Sequence, residues 1–281
     1  MVWDGALTQQ FLAKWDPTSQ GWYASHDCPY ANNTDFYPEC NYIRVKNDLT
    51  AATNGGYSEA QVQAIFLKSS DSFPKCDLSG VYCATGFTMP DAYMAEQFLG
   101  RILRYLKCCK MDQNGNSTNQ PRYPNLQQVF LTSRIYGGYA NGQMYGQHCL
   151  MPEPYAYEYG FAVQRTIVAQ IDRTTTDYVG DVRYPESAPW VDWGPYIWAS
   201  GVNQRSDGLN WCDYSTQADK RCSGDLGDVR YGDPLDFVDF WGDHTHPTAA
   251  GTKKVADQLV TFIGKTQGKA GSPFVTPWIQ K

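Results

Sequence analysis

The sequence predicts one α/β domain with a mainly parallel β-sheet, and three observations indicate this fold class. Two apolar runs, residues 62–70 and 126–134, turn polar at their carboxyl ends, as buried parallel strands do where they reach a ligand crevice. A helical pattern over residues 91–109 separates them, so strand, helix and strand form one right-handed unit. A chain of 281 residues with 42% hydrophobic content can bury a large core, and we predict a single domain over residues 1–281.

The first helix, residues 91–109, is predicted from its start signal and its apolar face. Asp91 follows Pro90 and is the expected N-cap. The face predicted to be buried has apolar side chains at helical spacing, namely Ala95, Phe98, Leu99, Ile102, Leu103 and Leu106.

Two further helices are predicted at residues 155–172 and 248–264, on either side of an aromatic segment. Residues 189–201 are interrupted by proline and glycine, which predicts a short strand followed by a loop that lines the crevice. The apolar faces consist of Phe161, Val163, Ile167, Val168 and Ile171 in the first helix and of Val255, Leu259, Val260 and Ile263 in the second.

The nine cysteines occur mostly in polar loops that have the character of insertions, which predicts disulfides that close short loops. A zinc site is the weaker interpretation because no Cys-x-x-Cys pair occurs. The predicted pairs are Cys28–Cys40, Cys76–Cys83 and Cys212–Cys222, and Cys108 or Cys109 is expected to reach Cys149.

Two glycosylation sequons begin at Asn32 and Asn116, in the same polar loops. Together with the cysteines they favour an oxidising, secretory or extracellular compartment. The first residues lack the pattern of a signal peptide, so the sequence is expected to begin downstream of the true start of the protein.

Charge and composition argue against several classes of partner. The net charge is −6, from 29 acidic and 23 basic residues without a basic run, which argues against a nucleic-acid partner. A membrane span is not predicted, since it needs about 18 consecutive apolar residues. We predict no metal and no cofactor; the expected partner is an ester or a glycan, or a protein if the chain is not an enzyme.

The stretch GDHTHPTAAGTKKVADQL, residues 242–259, places Asp243 and His246 in front of the last helix. An aspartate three residues before a histidine can accept a hydrogen bond from Nδ1–H and leave Nε2 free as a general base. In a doubly wound sheet such a loop lies over the carboxyl ends of the strands. A helix-capping role for the same residues is the structural alternative.

This stretch resembles the last block of the SGNH, or GDSL-like, hydrolases, in which Asp-x-x-His-Pro precedes the C-terminal helix. Residues 57–70, 122–140, 153–164 and 193–211 resemble, in the same order, stretches of a secreted and mostly uncharacterised subgroup of that family. The resemblance implies a flavodoxin-like, three-layer α/β/α fold with disulfide-closed insertions, and ester hydrolysis through a serine acyl-enzyme.

The resemblance assigns Asp243 and His246 as the acid and the base. His244 stands where many members have glycine and is expected to be a solvent-facing or capping residue. The family's serine follows the first strand in a block like Gly-Asp-Ser, which this sequence lacks, and the stretch like residues 4–15 comes after that block in the subgroup. The sequence is therefore expected to lack the first strand and its nucleophile.

The two oxyanion positions of the family differ in this sequence. Gln9 stands in place of a glycine, and its backbone N–H can still donate. Asp71 stands where an asparagine side chain is expected. An ionised aspartate would repel an oxyanion, so Asp71 can donate to it only in the protonated form; otherwise a neighbour such as Ser70 would have to be the donor.

Other residues at the strand ends are candidates for contacts with a substrate. Arg134 is a candidate anchor for an anion or a carbonyl, with a surface ion pair as the alternative. Tyr136 and Trp193, with Tyr139, are candidates for a sugar-binding platform, although such aromatics more often pack in a core. The serines at strand ends, Ser69, Ser70 and Ser133, are expected to bond backbone groups rather than to act as nucleophiles.

Two functions follow from these observations. The first is a secreted serine esterase, with carbohydrate-ester deacetylation as the preferred reaction because a polar, aromatic-rich crevice suits glycans. The second is an inactive SGNH-like glycoprotein with a binding or assembly role, which the missing nucleophile and the atypical oxyanion residues favour.

Overall fold

The computed structural model describes residues 40–68, 74–81, 83–108, 110, 118–140, 152–213, 239–240 and 244–266. Over these ranges none of the helices has an apolar stretch long enough to cross a membrane. Two short 3-10 turns, Ala52–Asn54 and Glu59–Gln61, precede the first strand. In chain order the helices and strands are α1 Cys40–Thr50, β1 Ala64–Leu67, α2 Asp91–Lys107, β2 Gln128–Leu131, α3 Tyr155–Asp172, β3 Trp190–Trp193 and α4 Ala249–Thr266.

The three described strands form a parallel sheet in the order β1-β2-β3, which confirms the α/β class. The register places Leu67 opposite Leu131 and Leu131 opposite Trp193, so the three strands end at the same level. Each strand has four residues and is shorter than the apolar run that predicts it. Strand pairing therefore stops where the sequence turns polar, and the chain beyond it is free to form loops.

Helices pack on both faces of the sheet, because successive side chains of a strand point to opposite sides. Val129 and Leu131 of β2 join the cluster formed with α2 and α3. Phe130 points the other way and packs with α4, where the Phe262 ring lies 5.3 Å from the Phe130 ring in a T-shaped contact. This arrangement is compatible with a three-layer α/β/α fold.

Helix α2 has the apolar face that the sequence predicts, since Ala95, Leu99 and Ile102 are buried within the main cluster. Its start differs from the prediction. Pro90 is the N-cap and Asp91 is the first helical residue. The Asp91 carboxylate instead accepts hydrogen bonds from the backbone N–H groups of Lys75 and Cys76, so it fixes the preceding loop against the helix.

The predicted faces of α3 and α4 are correct in part, since Val163 and Ile167 on α3 are buried as predicted. Val168 and Ile171 on α3 are exposed, whereas Tyr159, Ala162 and Thr166 are buried. Thr166 satisfies its buried hydroxyl by donating to the carbonyl of the preceding turn. Apolar spacing alone therefore misses the small and polar residues of the buried face. On α4, Ile263 is buried as predicted, but Val260 is exposed.

A buried glutamine joins α3 to the start of β3. The Gln170 amide nitrogen donates to the carbonyls of Val182 and Pro189, at 2.8 and 2.9 Å. Its amide oxygen accepts from the backbone N–H of Val191 at 2.7 Å. Three backbone groups that no strand partner reaches are thus satisfied by one side chain.

The predicted disulfide between Cys76 and Cys83 is confirmed, and the two residues also form an antiparallel bridge. Cys212 is disulfide-bonded, but its predicted partner Cys222 lies outside the described residues, so this pairing stays a prediction. The same holds for Cys108, whose expected partner was Cys149.

The remaining predictions for the polar loops fall outside the described residues. They concern Cys28, whose pairing with Cys40 stays a prediction, and the sequon residues Asn32 and Asn116.

Candidate functional site

The candidate site lies at the carboxyl edge of the sheet, where the segments that follow the strands come together. In parallel α/β sheets this edge is where ligands bind. Lys68 follows β1, and residues 132–136 and 194–198 follow β2 and β3. The backbone N–H of Thr132 donates to the Leu67 carbonyl at 3.1 Å, which holds the first two segments side by side.

Helix α4 runs with its N-terminus toward this edge. Phe262, near its C-terminus, contacts Phe66 and Phe130 in the middle of two strands. Val255, two turns earlier, packs against a second cluster that includes Ile135 and Ile197, which lie beyond the strand ends. The turn before α4, residues 244–246, is thus carried to the carboxyl edge, as the topology predicts.

Three features fix the backbone before α4. Phe240 and Pro247 form an antiparallel bridge, and the Thr248 N–H donates to the Asp239 carbonyl at 2.9 Å. Gly251 lies against the same carbonyl, and a β-carbon at this position would stand 2.2 Å from the oxygen. Any residue other than glycine would push the helix away from the turn.

A buried ion pair ties α4 to the segment before the turn. Lys254 donates to the buried carboxylate of Asp239 at 2.6 Å and to the Asn210 carbonyl at 3.1 Å. Asp239 also accepts from the backbone N–H of Cys212 at 2.8 Å. The sequence analysis did not single out this pair, because the partners lie on different elements and share no motif.

His244 is held by a buried carboxylate. Its Nδ1 lies 2.6 Å from Oδ2 of Asp213, whose side chain is 1% exposed, while the histidine side chain is 26% exposed. The backbone of His244 has φ of 57°, in the left-handed region that favours glycine. The sequence analysis expected a solvent-facing or capping role for His244 and did not predict its contact with Asp213, which lies 31 residues earlier in the chain.

His246 is half-buried at the end of the same turn. Asp243, its predicted partner, lies outside the described residues, so the Asp243–His246 pair stays a prediction. The predicted oxyanion residues Gln9 and Asp71 also lie outside them, as do Ser69 and Ser70.

Ser133 has a structural role, as the sequence analysis expects. It is buried, and its hydroxyl oxygen accepts hydrogen bonds from the backbone N–H groups of Ile197 and Trp198 at 2.8 and 3.2 Å. These bonds join the segment after β2 to the segment after β3. A serine engaged in this way is poorly placed to act as a nucleophile.

Arg134 stands out among the polar residues of the edge. The residue is half-buried, and its Nε atom is buried without a hydrogen-bond partner. An unsatisfied buried N–H costs about 1–3 kcal/mol. Burial lowers the pKa of Arg134, and the nearby Tyr159 partly offsets this effect. Arginine nevertheless stays charged at any physiological pH.

Lys68 contributes a second positive charge beside Arg134. Surrounding protein, and then the charge of Arg134, lower the pKa of Lys68. The residue is also exposed, and solvent screening makes the lowering smaller than full burial would produce. Burial raises the pKa of the Tyr159 hydroxyl, which faces the same charge. Two cations and a neutral hydroxyl thus share one part of the edge.

The predicted aromatic contacts lie in different surroundings. Tyr136 makes T-shaped contacts with Tyr139 and Trp198, at ring distances of 5.0 and 6.2 Å. Trp193 packs partly against the main core. Tyr157 and Tyr196 have more exposed rings near the same edge, and sequence analysis did not select either of them.

Glu153 connects these aromatic segments and was also missed. One carboxylate oxygen accepts from the backbone N–H of Gly137 at 3.0 Å and from the indole N–H of Trp198 at 2.8 Å. The other accepts from the Tyr157 N–H at 3.0 Å, in the first turn of α3. Both oxygens are therefore engaged, and the acidic group nearest the start of α3 serves the fold.

Within the described ranges, no group of three or more histidine, cysteine, aspartate or glutamate side chains could hold a metal ion. Comparison with protein-family models, curated proteins and solved structures finds no match to this chain. The function is therefore argued from the residues of the site.

Proposed function

We propose that this chain is a secreted ester hydrolase of the SGNH type that acts on carbohydrate esters, with a histidine of turn 244–246 as its general base. The pair formed by His244 and the buried Asp213, on a turn at the carboxyl edge of a parallel sheet, carries the proposal. This contact fixes the turn that also carries His246, and a general base must be held in a defined position. The rigid support of the turn, through Phe240 and Pro247, suits a base that must be held in place.

We assign the base to His246 and a positioning role to His244. The resemblance places the family's base at His246 and a glycine at position 244. The left-handed backbone of His244 agrees with that glycine, so this chain has added a side chain at a position shaped for none. Its bond to Asp213 then anchors the turn that presents His246.

The reaction follows the serine acyl-enzyme scheme. His246 takes the proton of the serine hydroxyl as its oxygen attacks the ester carbonyl, and returns it to the departing alcohol. Water then hydrolyses the acyl-enzyme with the same base. We do not assign the nucleophile to Ser133, because its hydroxyl oxygen accepts two backbone hydrogen bonds; the resemblance assigns it to a Gly-Asp-Ser-like block that residues 1–281 do not contain.

Carbohydrate substrates are favoured by the exposed rings beside the edge. Tyr157 and Tyr196 present aromatic surface, and the Arg205 guanidinium lies 5.4 Å from the Tyr196 ring. Aromatic rings with a polar end suit the mixed apolar and hydroxylated faces of a sugar.

The proposal is tested on the natural full-length protein by N-terminal sequencing, labelling with a fluorophosphonate and hydrolysis of an acetylated sugar. We expect a labelled serine, and a loss of kcat/KM of at least about a thousandfold in His246→Ala. His148→Ala, which changes a histidine outside the turn, is the matched control and should retain activity. Full activity in His246→Ala would refute the assignment, and loss of activity only in His244→Ala would transfer the base to His244.

Glycine and alanine at position 244 test the positioning role. His244→Gly suits the left-handed backbone and should retain more activity than His244→Ala, which keeps the strain and loses the bond to Asp213. Equal losses in both variants would argue for direct participation of the imidazole.

A binding or assembly role without catalysis is the second candidate, and the engagement of Ser133 favours it. It predicts a protein that takes no fluorophosphonate label yet binds a glycan or a protein at the same edge. Labelling of any serine in the natural protein would exclude it.

A further inference from the structure

We propose that Lys68 and Arg134 form a binding site for the carboxylate of an acidic sugar. The site lies at the carboxyl ends of β1 and β2, beside the turn that carries the histidines. As a substrate subsite it rests on the proposed function, but binding of the anion itself does not require hydrolysis.

The two cations are brought together by the register of the sheet. Leu67 and Leu131 are paired at the ends of β1 and β2, and Lys68 directly follows the first of them. Arg134 comes three residues after the second. The Thr132 hydroxyl donates to the Leu67 carbonyl, so the segment that carries Arg134 continues beside the end of β1.

Other arginines of the described chain are used within the fold. Arg165 pairs with Glu96, Arg183 with Asp181 and Arg205 with Asp207, at 2.5 to 2.9 Å. Arg104, Arg122 and Arg173 bond backbone carbonyls. Within the described ranges, by contrast, neither Arg134 nor Lys68 has a carboxylate within ion-pair distance.

One acidic residue at this edge of the sheet is already engaged within the fold. Glu153 precedes α3, but its two oxygens accept from Gly137, Tyr157 and Trp198. The buried Nε of Arg134 therefore lacks an acceptor that the described part of the chain could supply. A ligand oxygen would provide it.

The geometry of the groups favours a carboxylate. A guanidinium offers two parallel N–H groups that match the two oxygens of a carboxylate, and a lysine adds a point charge. The tyrosines Tyr157 and Tyr196 near the same edge favour a sugar as the carrier of that charge.

The test is calorimetric titration of the full-length protein with glucuronate, with glucose as the uncharged control and inorganic phosphate as a second anion. We expect saturable binding of glucuronate, and a loss of affinity of at least about tenfold in both Lys68→Gln and Arg134→Gln. The controls are Lys253→Gln and Arg173→Gln, which change exposed ion pairs elsewhere and should bind as the parent does.

Lys68→Gln keeps the proposal falsifiable if the Arg134 variant folds poorly, because Lys68 is exposed. Unchanged affinity in Lys68→Gln, or equal binding of glucose and glucuronate, would overturn the site. Binding of phosphate alone would overturn its assignment to a carboxylate. The titration is repeated with His246→Ala, which should bind glucuronate as the parent does. In the parent protein, glucuronate binding without ester hydrolysis would retain this site and refute the esterase, whereas hydrolysis without glucuronate binding would refute this site and retain the esterase.

Discussion

Gln170 and Arg134 are polar residues at opposite ends of the same sheet. Near the start of β3, the Gln170 amide makes three hydrogen bonds and satisfies three backbone groups. Just beyond the end of β2, Arg134 has a buried Nε without a partner, and Lys68 beside it has no acid among the described residues. The first end is closed by its own side chains. The second keeps bonding capacity that no acidic side chain of the described residues uses.

The largest effect is expected at the closed end. Gln170→Ala removes three hydrogen bonds and leaves buried backbone groups unsatisfied, so it should lower the free energy of unfolding by about 3 kcal/mol. The matched control is Gln204→Ala, which removes an exposed glutamine bonded to Gly208. It should change the free energy of unfolding by less than about 0.5 kcal/mol. Urea denaturation measures both. Equal values for the two variants would show that the amide is dispensable.

A smaller effect is expected at the histidine turn. Asp213→Ala removes the acceptor of His244 and should destabilise the protein by about 1–2 kcal/mol. In a His244→Gly background the same change should cost less, because the bond is already absent. A double-mutant cycle measures the coupling. Strict additivity would mean that the 2.6 Å contact contributes nothing to stability.

The pH dependence of anion binding sharpens the contrast at the open end. The pKa of Lys68 is lowered, so Lys68 loses its charge at a lower pH than an ordinary lysine, whose pKa is about 10.4. The affinity for glucuronate should therefore fall as the pH rises from 7 to about 10, while Arg134 remains charged. Titrations at several pH values should show this decline in the parent protein. Lys68→Gln should show none, and an equal decline in that variant would assign it to another group.

We expect the smallest effect for Arg134→Met. Its change in the free energy of unfolding should have the opposite sign to that of Gln170→Ala. An apolar side chain of similar length removes an unsatisfied buried N–H, so stability should be unchanged or higher by up to about 1 kcal/mol. Thermal unfolding compares it with the parent. A loss of more than about 2 kcal/mol would show that Arg134 serves the fold in the way Gln170 does.

The sequence predicts the elements well where apolar periodicity is strong. Helix α3 spans the predicted residues 155–172, and β1 and β2 lie inside the predicted runs. Periodicity is less informative about which face is buried. Ile171 is 61% exposed, whereas the buried residues of α3 include alanine, threonine and glutamine, which an apolar pattern ignores.

The site is predictable only in its local part. The strand-end position of Arg134 and the turn before α4 follow from spacing along the chain. The contacts between His244 and Asp213 and between Lys254 and Asp239 join segments 31 and 15 residues apart, and each depends on how loops fold back over the sheet. Spacing rules that operate within one helix or strand do not reach so far.

The bridge between Phe240 and Pro247 has a consequence for how this chain tolerates changes of length. It clamps both ends of a six-residue span that contains the two histidines. One residue added inside the span would have to bulge and would turn both imidazoles out of their present directions. We expect an added residue to be rejected between His244 and Pro247.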